Sequence, residues 1–176
     1  MKVLTFFTVR GGSGKTVLSA AFASYVSYIL GKRAMVLDFD GPEYNLYNMR
    51  LRELSLMKEG DAECDRDGLY IVEKVENTDS DSLDRFAASI RRIKEQFDYI
   101  ILDTPPVTVV SDAVLLADKI NGYIMASRAD YSNINSLSEA VQIVKNVGGE
   151  VFGIVLSSVN PKNASGAYKT YKNSGY

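Results

Sequence analysis

Residues 3–8 read Val-Leu-Thr-Phe-Phe-Thr, and after Val9 the chain passes into Arg10-Gly11-Gly12-Ser13-Gly14-Lys15-Thr16. An amphipathic pattern follows directly. Val17, Leu18, Ala21, Phe22, Tyr25, Val26, Ile29 and Leu30 recur at the spacing of one wide helix face, and Gly31 supplies a natural stop. A buried strand, a glycine-rich turn and a helix in this order admit few folds. The glycines let the backbone wrap a phosphate chain with its N–H groups turned inward, and a helix that opens near Lys15 adds the positive end of its dipole. Gly11, Gly12, Ser13 and Gly14 then form the cradle. Lys15 reaches the β- and γ-phosphates, and the Thr16 hydroxyl is placed to ligate Mg²⁺.

The rest of the chain repeats the alternation. Apolar, β-branched runs at Val3–Thr8, Ala34–Leu37, Leu69–Val72, Tyr99–Leu102, Gly122–Ala126 and Val151–Leu156 read as buried strands. Between them, Leu83, Phe86, Ala87, Ile90 and Ile93 share one helix face, and Leu137, Val141 and Val144 share another behind a Ser136/Glu139 capping box. Strands alternating with helices predict an α/β fold, a parallel sheet flanked by helices on both faces. The expected domain spans residues 1–160. Residues 161–176 lose apolar periodicity and are expected to form a flexible tail carrying Tyr168, Tyr171 and Tyr176, while Lys58–Asp67 reads as a solvated acidic loop.

Composition narrows the chemistry. No histidine is present in the 176 residues, which removes Ser-His-Asp and Cys-His catalysis, and the single cysteine, Cys64, excludes an internal disulfide. The formal net charge of −2 gives no global reason to bind nucleic acid or an anionic membrane, although a local basic patch stays open. The apolar start is too short for a signal peptide or a membrane span, so a cytoplasmic location is expected, without direct membrane insertion.

Two acidic motifs complete the pattern. Asp38-Phe39-Asp40 ends the second strand, and two carboxylates separated by one residue leave a strand on the same side. In an open α/β sheet that edge is where ligands bind. Asp38 is the better metal partner and Asp40 the better group to orient an attacking water or hydroxyl. The run Asp98–Pro106 is a second apolar strand closed by Asp103, which would hold Mg²⁺ through its water shell.

The phosphate loop departs from the common P-loop spacing, because its glycines follow a basic residue directly. In this it resembles the deviant Walker A motif of the ParA and MinD ATPases, where a basic residue crosses to a partner subunit's nucleotide; Arg10 holds that place here. Asp40-Gly41-Pro42-Glu43 is similar to the same branch. From Phe97 onward the chain instead resembles bacterial tyrosine kinases of capsule and exopolysaccharide synthesis, through Asp103-Thr104-Pro105-Pro106-Val107, Ser111–Asp118, Gly153-Ile154-Val155-Leu156 and the tyrosine-bearing tail. The kinases' Glu-x-x-Arg-x-x-Arg motif is not found, and Ser157 stands where they carry an asparagine, which leaves adenine recognition to Asn160 or to the backbone.

The resemblance implies ATP and Mg²⁺ as cofactors, with Lys15, Asp40 and Arg10 as catalytic groups and Thr16, Asp38 and Asp103 around the metal. Its kinase branch implies autophosphorylation at Tyr168, Tyr171 and Tyr176, self-association, and a transmembrane activator that recruits the protein to the inner face of the membrane. The ParA/MinD branch implies an ATP-dependent dimer acting as a switch. A third reading is a nucleotide-binding assembly module with negligible turnover.

Overall fold

The computed structural model describes residues 1–59, 70–75, 93, 95–105 and 119–160. The six expected strands are all there: β1 Lys2–Phe7, β2 Ala34–Asp38, β3 Ile71–Lys74, β4 Tyr99–Asp103, β5 Gly122–Arg128 and β6 Val151–Ser157. They form one sheet in the order β3-β2-β4-β1-β5-β6, every pair parallel. The order reverses at β1, so the crevice outside the carboxyl ends of the strands opens beside the loop that leaves it.

Burial explains the continuous apolar runs. In β1, Val3 and Phe7 join a core on one face while Phe6 joins a core on the other, and all three are buried. A strand covered on both sides has no polar face to alternate. One cover is the helix α1, Lys15–Ser24, which brings Ala23 against Phe6, Val36 and Ile101. The other is α3, Ile134–Asn146, which brings Ala140 and Val144 against Val3, Phe7, Tyr123 and Met125. Edge-to-face rings join the layers, Phe6 to Phe22 and Phe7 to Tyr123, each with centroids 5.9 Å apart.

Three local expectations need correction. The first helix does not continue regularly to Leu30: after Ser24 it widens into a π-helical turn, Tyr25–Ile29, before Gly31 ends it at φ 59°. This turn buries Val26 and Ser27 and leaves Tyr25, Tyr28 and Ile29 exposed. The cap of α3 is Asn133, whose side chain accepts from the Asn135 N–H at 2.8 Å, so Ser136 lies inside the first turn rather than at a capping box.

The third correction is a helix, α2, at Asn45–Glu59, which puts Lys58 and Glu59 in helix rather than loop. Its pattern is weakly apolar: Leu46 is buried, but Met49 and Leu51 are exposed and Arg50 is buried beneath Tyr70, its guanidinium 4.2 Å from the ring centre. Residues 60–69 lie outside the described residues, as do the expected helix through Leu83–Ile90, the Ser111–Asp118 segment and the tail 161–176. No described helix is long and apolar enough to cross a membrane.

The sheet is protected unevenly. Ile101 at its centre is fully buried, whereas Phe152, Ile154 and Leu156 on the edge strand β6 are more than half exposed. Ile101→Ala is therefore expected to cost about 2–5 kcal/mol of unfolding free energy. Ile154→Ala should stay within roughly 0.5 kcal/mol. Urea unfolding of the two variants measures both.

Candidate functional site

The phosphate loop is fixed by its own hydroxyls. The Thr8 hydroxyl donates to the Arg10 carbonyl at 3.0 Å and accepts from the Arg10 N–H at 3.4 Å, and the Ser13 hydroxyl donates to the same carbonyl at 2.9 Å. Gly12 at φ 76° and Gly14 at φ 90° occupy the left-handed region that a side chain would resist. Gly14 is the N-cap of α1, and no side chain caps that end. The first-turn N–H groups thus face the crevice with their dipole uncompensated, the arrangement that receives an anion.

Three of the expected site residues converge below this loop. Lys15 is buried, its Nζ 2.6 Å from Asp103 Oδ1 and 3.5 Å from Asp40 Oδ2. Asp103 and Asp38 end adjacent strands in register with one another, and both are fully buried. Burial pushes the Asp103 carboxyl above the ordinary carboxylate range; Lys15 and the Thr16 hydroxyl pull it back, and Asp38 raises it further. Asp38 has a different set of partners. Its carboxylate accepts from the backbone N–H of Asp40 at 3.0 Å and from those of Leu46 and Tyr47, both at 3.1 Å. It therefore caps α2 from eight residues upstream and fixes where Asp40 begins.

The oxygens suit Mg²⁺. Asp103 Oδ2 and Thr104 Oγ1 are buried without a hydrogen-bond partner among the described residues, an expensive state for two oxygens unless something else satisfies them. No described group of three or more acidic, histidine or cysteine side chains forms a metal cage. That is the condition of a Mg²⁺ site, since this ion keeps several waters and takes one or two carboxylates together with substrate phosphates.

The remaining expected residues are placed apart. The Arg10 residue is exposed on the outer side of the loop, and Asn160 is exposed in the coil beyond β6. Tyr168, Tyr171 and Tyr176 lie outside the described residues. Two residues escaped the sequence reading. Ser19, fully buried and one helical turn after Lys15, has its hydroxyl 3.5 Å from Asp103 Oδ1; its spacing from Lys15 was the available signal. The Ser157 hydroxyl donates to the carbonyls of Ser13 at 3.3 Å and Ser127 at 3.2 Å, which ties the loop to β5 and β6. Only the sheet brings those residues together.

The Lys15–Asp103 pair gives a stability test. Asp103→Asn leaves a buried ammonium with Asp40 alone and should cost about 3 kcal/mol. Adding Lys15→Met to that variant removes the orphan charge and should recover most of the loss, which urea unfolding of the four-member cycle would show.

This geometry agrees with what known proteins show. Residues 4–172 match the profile of the CobQ/CobB/MinD/ParA nucleotide binding domain. A tyrosine-protein kinase CpsD of Streptococcus agalactiae serotype III is 30% identical over 183 residues, covering 93% of this chain and 77% of that protein. The kinase domain of the Escherichia coli tyrosine kinase ETK superposes with a TM-score of 0.71 at 22% identity, over 93% of this chain and 69% of that one. MinD in the Aquifex aeolicus MinC:MinD cell division complex gives 0.70 at 16% identity, over 99% and 72%. The chain belongs to the CobQ/CobB/MinD/ParA nucleotide-binding family of P-loop NTPases, with relatives among both the bacterial tyrosine kinases and the ParA/MinD ATPases.

Proposed function

We propose that this protein binds MgATP and transfers its γ-phosphoryl group to tyrosines in the tail of a neighbouring copy, as a protein-tyrosine autokinase. The observation that carries the phosphoryl-transfer reading is the position of Lys15, under an uncapped helix N-terminus and within reach of both Asp40 and Asp103. The tyrosine acceptor is supported by the kinase relatives, which match nearly the whole chain.

Each residue has a part. The N–H groups of Gly11 to Lys15 cradle the phosphates, and Lys15, released from its carboxylates by the stronger charge of the triphosphate, holds the β- and γ-oxygens. Thr16 and Asp103 hold Mg²⁺, with Asp38 behind them; when bound, the ion neutralises charge that develops on the phosphates. Asp40, part exposed at the rim, faces the entry for an acceptor. A tyrosine hydroxyl with an ordinary pKa near ~10 is barely ionised at neutral pH, and Asp40 accepts its proton. A loose transition state demands little more. Tyr123 shows why the acceptor is a tail residue. It is fully buried, and burial pushes its hydroxyl up to about 12.

The protein works in the cytosol and is drawn to the inner face of the membrane by a transmembrane activator. A second reading, the ParA/MinD-type switch, is favoured by one observation: Arg10 stands exposed on the outer side of the phosphate loop, able to meet a second copy's nucleotide. ATP-dependent dimers are then expected, and Arg10→Ala should weaken them in light scattering.

The deciding experiment incubates the intact protein, Lys15→Ala and a Tyr168, Tyr171 and Tyr176 triple phenylalanine variant with MgATP and maps phosphate by mass spectrometry. Phosphotyrosine is expected in the tail of the intact protein and is lost in the triple variant. Lys15→Ala should lower turnover by about 10²–10³. ATP hydrolysis without phosphotyrosine, with an activator segment added, would replace the kinase by the switch.

A further inference from the structure

The sheet order divides the crevice into two sides. Asp103 on β4, with Asp38 and Asp40 following β2, lies to one side of β1, so the terminal phosphates and their metal point that way. The base of a nucleotide held by the same loop must then extend to the other side, over the carboxyl ends of β5 and β6. What stands there is a planar pair. Arg128, the last residue of β5, has its guanidinium carbon 5.6 Å from the centre of the Tyr131 ring, and both residues are exposed.

The pair is built into the edge. Asp130 takes the left-handed conformation at φ 58°, and the Tyr131 N–H donates to the Arg128 carbonyl at 3.3 Å, so the turn doubles back and lays the ring against the guanidinium. The Ala129 N–H donates to the Ser157 carbonyl at 2.9 Å, while the Ser157 hydroxyl donates to the Ser13 carbonyl at 3.3 Å. One short path of hydrogen bonds therefore sets the pair's position relative to the phosphate loop. Guanidinium and phenol planes both accept the π-face of a heterocycle, and neither requires a particular hydrogen-bonding edge.

We infer that Arg128 and Tyr131 form the base subsite of the nucleotide site, a stacking platform for a purine that reads its π-face. This rests on the nucleotide-binding reading above and adds where the base lies. Because the platform reads a face and not an edge, it contributes affinity for purines in general, and selectivity for adenine must come from elsewhere.

The test separates the base from the phosphates. Calorimetry in Mg²⁺ compares ATP with inorganic tripolyphosphate, which carries the phosphates alone, on the intact protein, Arg128→Ala, Tyr131→Ala and Tyr131→Phe. ATP should bind the intact protein more tightly than tripolyphosphate. Each alanine variant should lose about tenfold in ATP affinity, the order expected for one lost stacking contact, and change less than about twofold for tripolyphosphate. Tyr131→Phe keeps the ring and should keep ATP affinity. Equal losses for both ligands would make Arg128 a phosphate contact and overturn the subsite. Unchanged ATP affinity in both alanine variants would overturn it too. If the intact protein binds tripolyphosphate and ATP equally, the base subsite falls while the phosphate loop stands; if it binds neither, the nucleotide reading falls with it.

Discussion

Two buried carboxylates on neighbouring strands are the constraint around which the site is arranged. Asp38 and Asp103 are paired in register between β2 and β4, and both are removed from solvent. Two like charges at such a place are costly unless each finds its own compensation. The chain supplies two different answers. Asp103 takes the Lys15 ammonium at 2.6 Å, whereas Asp38 takes three backbone N–H groups, two of them from the start of α2. One answer is electrostatic and can be exchanged for a ligand. The other is a fixed hydrogen-bonded cap.

That division gives the two sides of the crevice their characters. The cap on Asp38 fixes the loop that carries Asp40, so a half-exposed carboxylate is held at the rim instead of wandering with a surface turn. The ion pair at Asp103 leaves the lysine poised: its present partners are acids that also suit a metal, and a triphosphate brings more negative charge than they do. Ser19 and Thr16, on the first turns of α1, complete the polar floor without adding charge.

The phosphate loop illustrates a site made by omission as much as by contact. An N-terminus without a side-chain cap or an acidic residue in its first turn is less stable than one with them, by about 1 kcal/mol for a missing cap. The deficit is made good when an anion arrives. Thr8 and Ser13 meanwhile hold the loop open through the Arg10 carbonyl, leaving the Arg10 residue exposed. The same geometry serves a kinase and a dimerising switch, so the acceptor that reaches Asp40, and the copy that meets Arg10, separate the two branches.

The sequence by itself determined the strands, the phosphate loop and the acids at the strand ends. Fully buried parallel strands must be apolar throughout, and left-handed turns such as Gly12 and Gly14 call for glycine, so both leave local marks. It did not reveal α2, because the cap of that helix is Asp38 on a strand and its buried face includes Arg50 beneath Tyr70, neither of which is a periodic apolar signal. It misplaced the α3 cap, since Asn133 and Ser136 both suit an N-cap and only backbone geometry chooses between them. The pairing of Lys15 with Asp103, 88 residues apart, and the tie from Ser157 to Ser13, 144 residues apart, were decided by the tertiary structure alone. Strand order sets which strand ends are neighbours, and strand order follows from how the whole chain packs.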